Sequence, residues 1–130
     1  MSKKKAVAGV VISDDDKFLV VKKKEGRGIM GGKWHLPGKT LEKRENHRKA
    51  LVRGIRKETG IEGAVGEYIT YHITSKGTKV EWYECHAYTR DITPGSDVGD
   101  GMWVDRDNVV SLCINVFYLW PEEVRGYFIK

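Results

Sequence analysis

A single change of period constrains this chain more than any other feature. From Glu45 to Thr59, the residues Leu51, Val52, Ile55 and Thr59 recur at i, i+1, i+4 and i+8, on one face of a helix whose other faces carry Arg, Lys and Glu. The flanking sequence has a different pattern. Residues 6–13 (AVAGVVIS) and 17–23 (KFLVVKK) are β-branched and apolar, and the turn Asp14-Asp15-Asp16 between them predicts a hairpin. Residues 64–75 (AVGEYITYHITS) and 79–91 (KVEWYECHAYTRD) predict a second hairpin through a short turn at Ser75-Lys76-Gly77. One helix crossing between two strand pairs predicts an α+β chain, an αβα sandwich around a mixed sheet. The length of 130 residues fits one domain, taken as residues 1–130.

The ends of these elements are also readable. Gly60 supplies a left-handed stop after the helix, with apolar Ile61 behind it. Gly54 offends the helix, since glycine there costs about 1 kcal/mol relative to alanine and something other than propensity must account for it. Residues 101–105 (GMWVD) predict a short strand, and Asp105 or Asp107 a cap for a brief helix through Leu112. A last helix is expected from Pro121 as its first residue, with Glu122 and Glu123 complementing the dipole.

Composition narrows the partners. With 23 Lys and Arg against 18 Asp and Glu, the net charge is +5, which favours phosphates, nucleotides or nucleic acid. Cys85 and Cys113 stand far apart and outside any CxxC spacing, so two buried, reduced thiols are expected and a zinc site is not. No apolar run approaches the ~20 residues of a membrane span, and Met1-Ser2-Lys3-Lys4-Lys5 leads into strand-like sequence, so no membrane partner and a cytoplasmic location are expected. The stretch EGRGIMGG at 25–32 lacks the ending of a phosphate loop and reads as a flexible loop. The histidines His35, His47, His72 and His86 have no metal spacing, and His72 and His86 read as hydrogen-bonded strand residues. Trp34, Trp82, Trp103 and Trp120, with Tyr68, Tyr71 and Tyr83, are mostly core or sheet surface, although such rings can stack a base.

The strongest local signal is GKWHLPG at 32–38, leading through KTLEKRE at 39–45 into the helix. This region resembles the Nudix superfamily, the MutT-like pyrophosphohydrolases, whose signature reads G, five residues, E, seven residues, then R-E-apolar-x-E-E-x-G-apolar. In that register, within a box region of 38–61, Glu45, Arg53, Ile55, Glu58, Gly60 and Ile61 match. Trp34, Leu36, Pro37 and Gly38 match the usual approach to the box, Glu42 a frequent acidic residue inside it, and GMWVDRDNVVSL at 101–112 the downstream strand and short helix. Four positions depart. Lys39 stands at the signature glycine, Arg44 where glycine is frequent, and Gly54 and Lys57 at signature glutamates.

The resemblance implies Mg²⁺ or Mn²⁺ held by carboxylates, which spread phosphoryl charge and deliver water in line. It implies Glu58 and the Gly38 carbonyl as metal ligands, Glu58 and Arg53 as catalytic residues, and Lys57 and Lys23, one of the run Lys22-Lys23-Lys24, as phosphate-binding residues. Glu45, Gly60 and Ile61 are implied as structural members of the box, and Arg53 also reads as an ion-pair partner of Glu45 or Glu58. Positions 54, 57 and 58 share one helix face, which here reads Gly, Lys, Glu. Glutamate at both Gly54 and Lys57 would lower the net charge by 1 and by 2, from +5 to +2. An ammonium within about 5 Å of a divalent site repels it by several kcal/mol at an effective dielectric of ~20, whereas phosphate attracts the same group.

Three functional readings follow. The first is a Nudix-type domain that binds a nucleoside diphosphate derivative or another diphosphate-containing small molecule, with weak or lost Mg²⁺-dependent hydrolysis. The second is an active pyrophosphohydrolase with a reshaped metal site, since Mg²⁺ needs only one or two carboxylates, and Asp97, Asp100, Glu122 or Glu123 are candidates to complete it. The third is a basic nucleic-acid or protein interaction module.

Overall fold

Strand β1 (Lys5–Ile12) organises the molecule because its side chains alternate between two apolar layers. Val7 and Val11 pack with Leu19, Leu51, Ile55 and Ile61 on one side. Ala8 and Val10 pack with Phe18, Trp82, Phe117 and Phe128 on the other. A computed structural model describes residues 4–26, 31–96 and 98–129 of the chain. The remaining elements are β2 (Phe18–Lys23), β3 (Trp34–His35), β4 (Gly38–Thr40), α1 (His47–Thr59), β5 (Gly63–Ile73), β6 (Lys79–Ala87), β7 (Val98–Val104), α2 (Arg106–Leu112), a 3-10 turn (Phe117–Leu119) and α3 (Glu122–Arg125).

The seven strands form one mixed sheet in the order β3-β2-β1-β6-β5, with β4 paired to β1 and β7 to β2. Strand β1 runs parallel to β6 from Lys5↔Lys79 to Ile12↔His86. It meets β2 at Ile12↔Phe18, and its other end pairs with β4 through Ala6↔Thr40, Val7↔Lys39 and Ala8↔Gly38. The expected first hairpin therefore forms at its turn, while β4 takes the far end of β1. This arrangement brings Gly38 and Lys39 beside α1. With α1 on one face and α2, the 3-10 turn and α3 on the other, the sandwich is the expected one.

Helix α1 begins at His47, two residues later than the expected Glu45, because Asn46 caps it, its Oδ1 accepting the Lys49 N–H at 3.0 Å. The Glu45 carboxylate accepts the Glu42 N–H at 3.0 Å instead. Gly60 ends the helix in the left-handed region, φ 75°, and donates its N–H to the Arg56 carbonyl at 2.7 Å. The buried Thr59 hydroxyl donates to the Ile55 carbonyl at 2.7 Å and accepts the Ile61 N–H at 3.2 Å, so Ile61 turns fully into the core.

Three smaller expectations are corrected. Strand β7 starts at Val98, because its pairing with β2 reaches Lys23↔Val98. Asp105 stands at the cap position of α2 but makes no cap bond, its carboxylate being taken by the Lys17 ammonium. Pro121 is the residue before α3, not its first, and α3 is a single turn. Beyond it, the Phe128 N–H reaches the Arg125 carbonyl at 2.9 Å, and Phe128 packs edge-on to Phe18 with ring centroids 5.0 Å apart. Both cysteines are buried and unbridged, and burial pushes each thiol up to about 12. No helix among the described residues is long and apolar enough to cross a membrane.

Candidate functional site

The local geometry begins with Gly38. A Cβ there would lie 2.8 Å from the Val7 carbonyl oxygen, so only glycine lets β4 approach β1 in this register. The close approach sets β4 against α1 and opens a cleft of about 640 Å³, lined by Lys23, Gly38, Lys39, Gly54, Lys57 and Glu58. Residues far apart in the chain and singled out from sequence alone thus converge on one cavity. Its apolar lining includes Trp82 and Trp120, both buried.

Arg53, Glu45, Gly60, Ile61 and Arg44 do not line the cleft. Arg53 is ion-paired with Glu45, the first of the two partners that its position offered. Glu45 carries a further cation, Lys39 Nζ, at 3.3 Å. With two cations and a backbone N–H on it, Glu45 ties the 39–45 loop to α1 and has little negative charge left for a ligand. Arg44 sits in that loop at φ 63°, a conformation that explains why glycine suits its position.

Two of the four departures touch each other. The Lys39 stem crosses Gly54 so closely that a Cβ at 54 would stand 3.0 Å from Lys39 Cβ and 3.3 Å from its Cδ. Position 54 is bare where the signature has a side chain, and position 39 carries a side chain where the signature is bare. This contact accounts for the mid-helix glycine, and sequence reading missed it because the residues lie fifteen positions apart on different elements. Glu58 is half-buried with one carboxylate oxygen fully enclosed, while Lys57 is exposed at the rim. The Gly95 N–H donates to the Glu58 carbonyl at 2.9 Å and the Thr93 N–H to the Thr59 carbonyl at 2.8 Å, so the loop after β6 is fastened to the end of α1.

Residues 3–120 match the NUDIX domain family. The chain belongs to that family. It is 38% identical over 66 residues to a CTP pyrophosphohydrolase of Escherichia coli K12, an alignment covering 51% of this chain and 48% of that protein. It is 28% identical over 120 residues to the nucleoside triphosphatase NudI of Escherichia coli O81, covering 82% of this chain and 85% of that one. Its fold resembles the crystal structure of the MutT protein from Methanosarcina mazei Go1, with a TM-score of 0.74 at 19% identity over 98% of this chain and 93% of that one.

Nudix hydrolases generally use Mg²⁺ or Mn²⁺, and the residues present can be tested against such an ion. Glu58 and Gly38 both line the cleft, but Asp100, Glu122 and Glu123 do not. Asp100 accepts the Gly101 N–H, Glu123 faces Thr70, and Asp97 lies outside the described residues, as do residues 27–30 of the glycine-rich loop. Among the described residues no three of His, Cys, Asp and Glu gather closely enough to hold a metal. Among the described residues the lining offers one carboxylate, Glu58, alongside Lys23 and Lys57, with the Lys39 ammonium held by Glu45, and that donor set does not fit a divalent cluster in this Nudix cleft.

Two histidines complete the lining. His72 Nδ1 accepts the Trp82 indole N–H at 3.0 Å. His35 Nδ1 lies 2.9 Å from the Leu36 carbonyl oxygen, an acceptor, so that nitrogen carries the ring proton. Burial holds the His35 pKa below its ordinary value, and the nearby Lys23 ammonium acts in the same direction. Sequence reading gave His35 no role. The available signal was its place inside GKWHLPG, between residues that the Nudix resemblance already used.

Proposed function

We propose that this Nudix domain binds a nucleoside diphosphate derivative in the cleft between β4 and α1, with Mg²⁺-dependent hydrolysis weak or lost. The observation that carries the reading is the charge of the described lining, where Lys23 and Lys57 stand against one carboxylate while the Lys39 ammonium is taken by Glu45. Phosphate oxygens are matched by Lys23 and Lys57, whose ammonium groups act as point charges. Glu58 is the acid of the described lining available to orient a water, and Glu45 and Arg53 hold the box together. The names of the relatives, a CTP pyrophosphohydrolase and a nucleoside triphosphatase, support a phosphoanhydride-containing nucleotide as the ligand class.

The same names favour a second reading, an active pyrophosphohydrolase. Turnover separates the two. Under the proposal, CTP and CDP raise the thermal midpoint in EDTA, and phosphate release with Mg²⁺ or Mn²⁺ stays near background. Brisk metal-dependent release that disappears in Glu58→Gln would overturn the proposal and establish the enzyme. A basic nucleic-acid module would instead show strand binding that weakens steeply with salt.

A further inference from the structure

The two histidines of the cleft are in opposite states. His72 has its acceptor nitrogen satisfied by Trp82. His35 has its Nδ1–H directed at the Leu36 carbonyl, which leaves Nε2 as a lone-pair acceptor. That Nε2 is buried and has no hydrogen-bond partner among the described residues, although His35 lines the cleft. A buried acceptor without a partner is unfavourable, and a ligand that supplies a donor recovers the deficit on binding.

The chemistry of the missing partner is restricted. Lys23 lies beside His35, and cation and burial together disfavour a second proton on the ring. A neutral imidazole offers Nε2 only as an acceptor, and ionised phosphate oxygens have no proton to give it. Ionised phosphate oxygens, like carbonyl groups, are thus excluded as its partner, which must carry an O–H or N–H. We propose that His35 Nε2 accepts a hydrogen bond from an O–H or N–H group of the nucleoside portion of the ligand, making His35 a specificity residue of the cleft. The assignment rests on the nucleotide-binding reading above.

Calorimetry in EDTA with inorganic pyrophosphate, CDP and 2′,3′-dideoxy-CDP tests it on wild type, His35→Leu and His35→Gln. His35→Leu should weaken CDP about tenfold, the loss of one buried hydrogen bond, and leave pyrophosphate within about twofold. His35→Gln, which restores an acceptor, should recover much of the loss. If dideoxy-CDP is insensitive to His35→Leu, the donor is on the sugar; if it is as sensitive as CDP, the donor is on the base. Equal effects on CDP and pyrophosphate, or none on either, would overturn the proposal, the second result meaning that Nε2 holds a buried water only. Nitrogen NMR of the unsubstituted protein gives a check independent of folding. The bare ring nitrogen of His35 should shift upfield with CDP and not with pyrophosphate, and an unmoved resonance at saturating CDP rejects the contact. Failure of both ligands to bind wild type is a different result, which removes the nucleotide-binding reading itself.

Discussion

The two sides of α1 have diverged unequally from the Nudix signature. The side facing the sheet carries Ala50, Leu51, Ile55 and Thr59, all buried, and at its signature position Ile55 agrees with the family. The side facing the cleft carries Gly54, Lys57 and Glu58, of which Glu58 alone agrees. A helix can separate these duties because residues three and four apart share a face while their neighbours do not. Packing is held by volume and apolarity, chemistry by charge. Changing one leaves the other intact, unless a substitution reaches across to another element, as Lys39 does over Gly54.

The largest test of this separation is Leu51→Ala. It should cost about 3 kcal/mol in urea denaturation, a transfer loss plus a cavity, while pyrophosphate affinity measured on the folded protein stays unchanged. A large affinity change would show that the two faces are coupled. The second test concerns the reach across. Gly54→Ala alone should gain nothing, because about 1 kcal/mol of helix propensity is offset by crowding against Lys39. In a Lys39→Gly background the same change should stabilise by about 1 kcal/mol, a coupling readable from the four-variant cycle. Adding glutamates at 54 and 57 should then raise Mg²⁺ affinity only when Lys39 is also removed.

These tests also show where the sequence was legible. The buried face of α1, its glycine stop and the strand pairs followed from period and propensity, which are local properties. The strand that takes the far end of β1 did not, because β4 is three residues long and its pairing depends on Gly38 meeting Val7 in space. The cleft residues were named through the family register, but their mutual contacts were not. Lys39 over Gly54, Arg53 on Glu45 and the bare nitrogen of His35 are tertiary facts, and no window of sequence contains them.

Smaller effects sharpen the picture. Asn46→Ala removes the side-chain acceptor from the start of α1 and should cost about 1 kcal/mol, visible as a lower thermal midpoint. The effect on the cleft should be slight, since the cleft residues of α1 lie in its C-terminal half. The weakest effect is a pH dependence. Burial depresses His35 and His72 below their ordinary 6.5. The unfolded chain therefore binds protons that the folded one refuses as pH falls below about 6.5, so stability is greater above that pH and declines beneath it. In His35→Leu the decline from pH 6.5 to 5 should be shallower, as measured by denaturant midpoints across the range.

The bonds from Gly95 and Thr93 to the final carbonyls of α1 have a geometric outcome of their own. Gly95 and Ser96 form part of the cleft wall, so that stretch of wall cannot move outward without fraying the helix terminus it is bonded to.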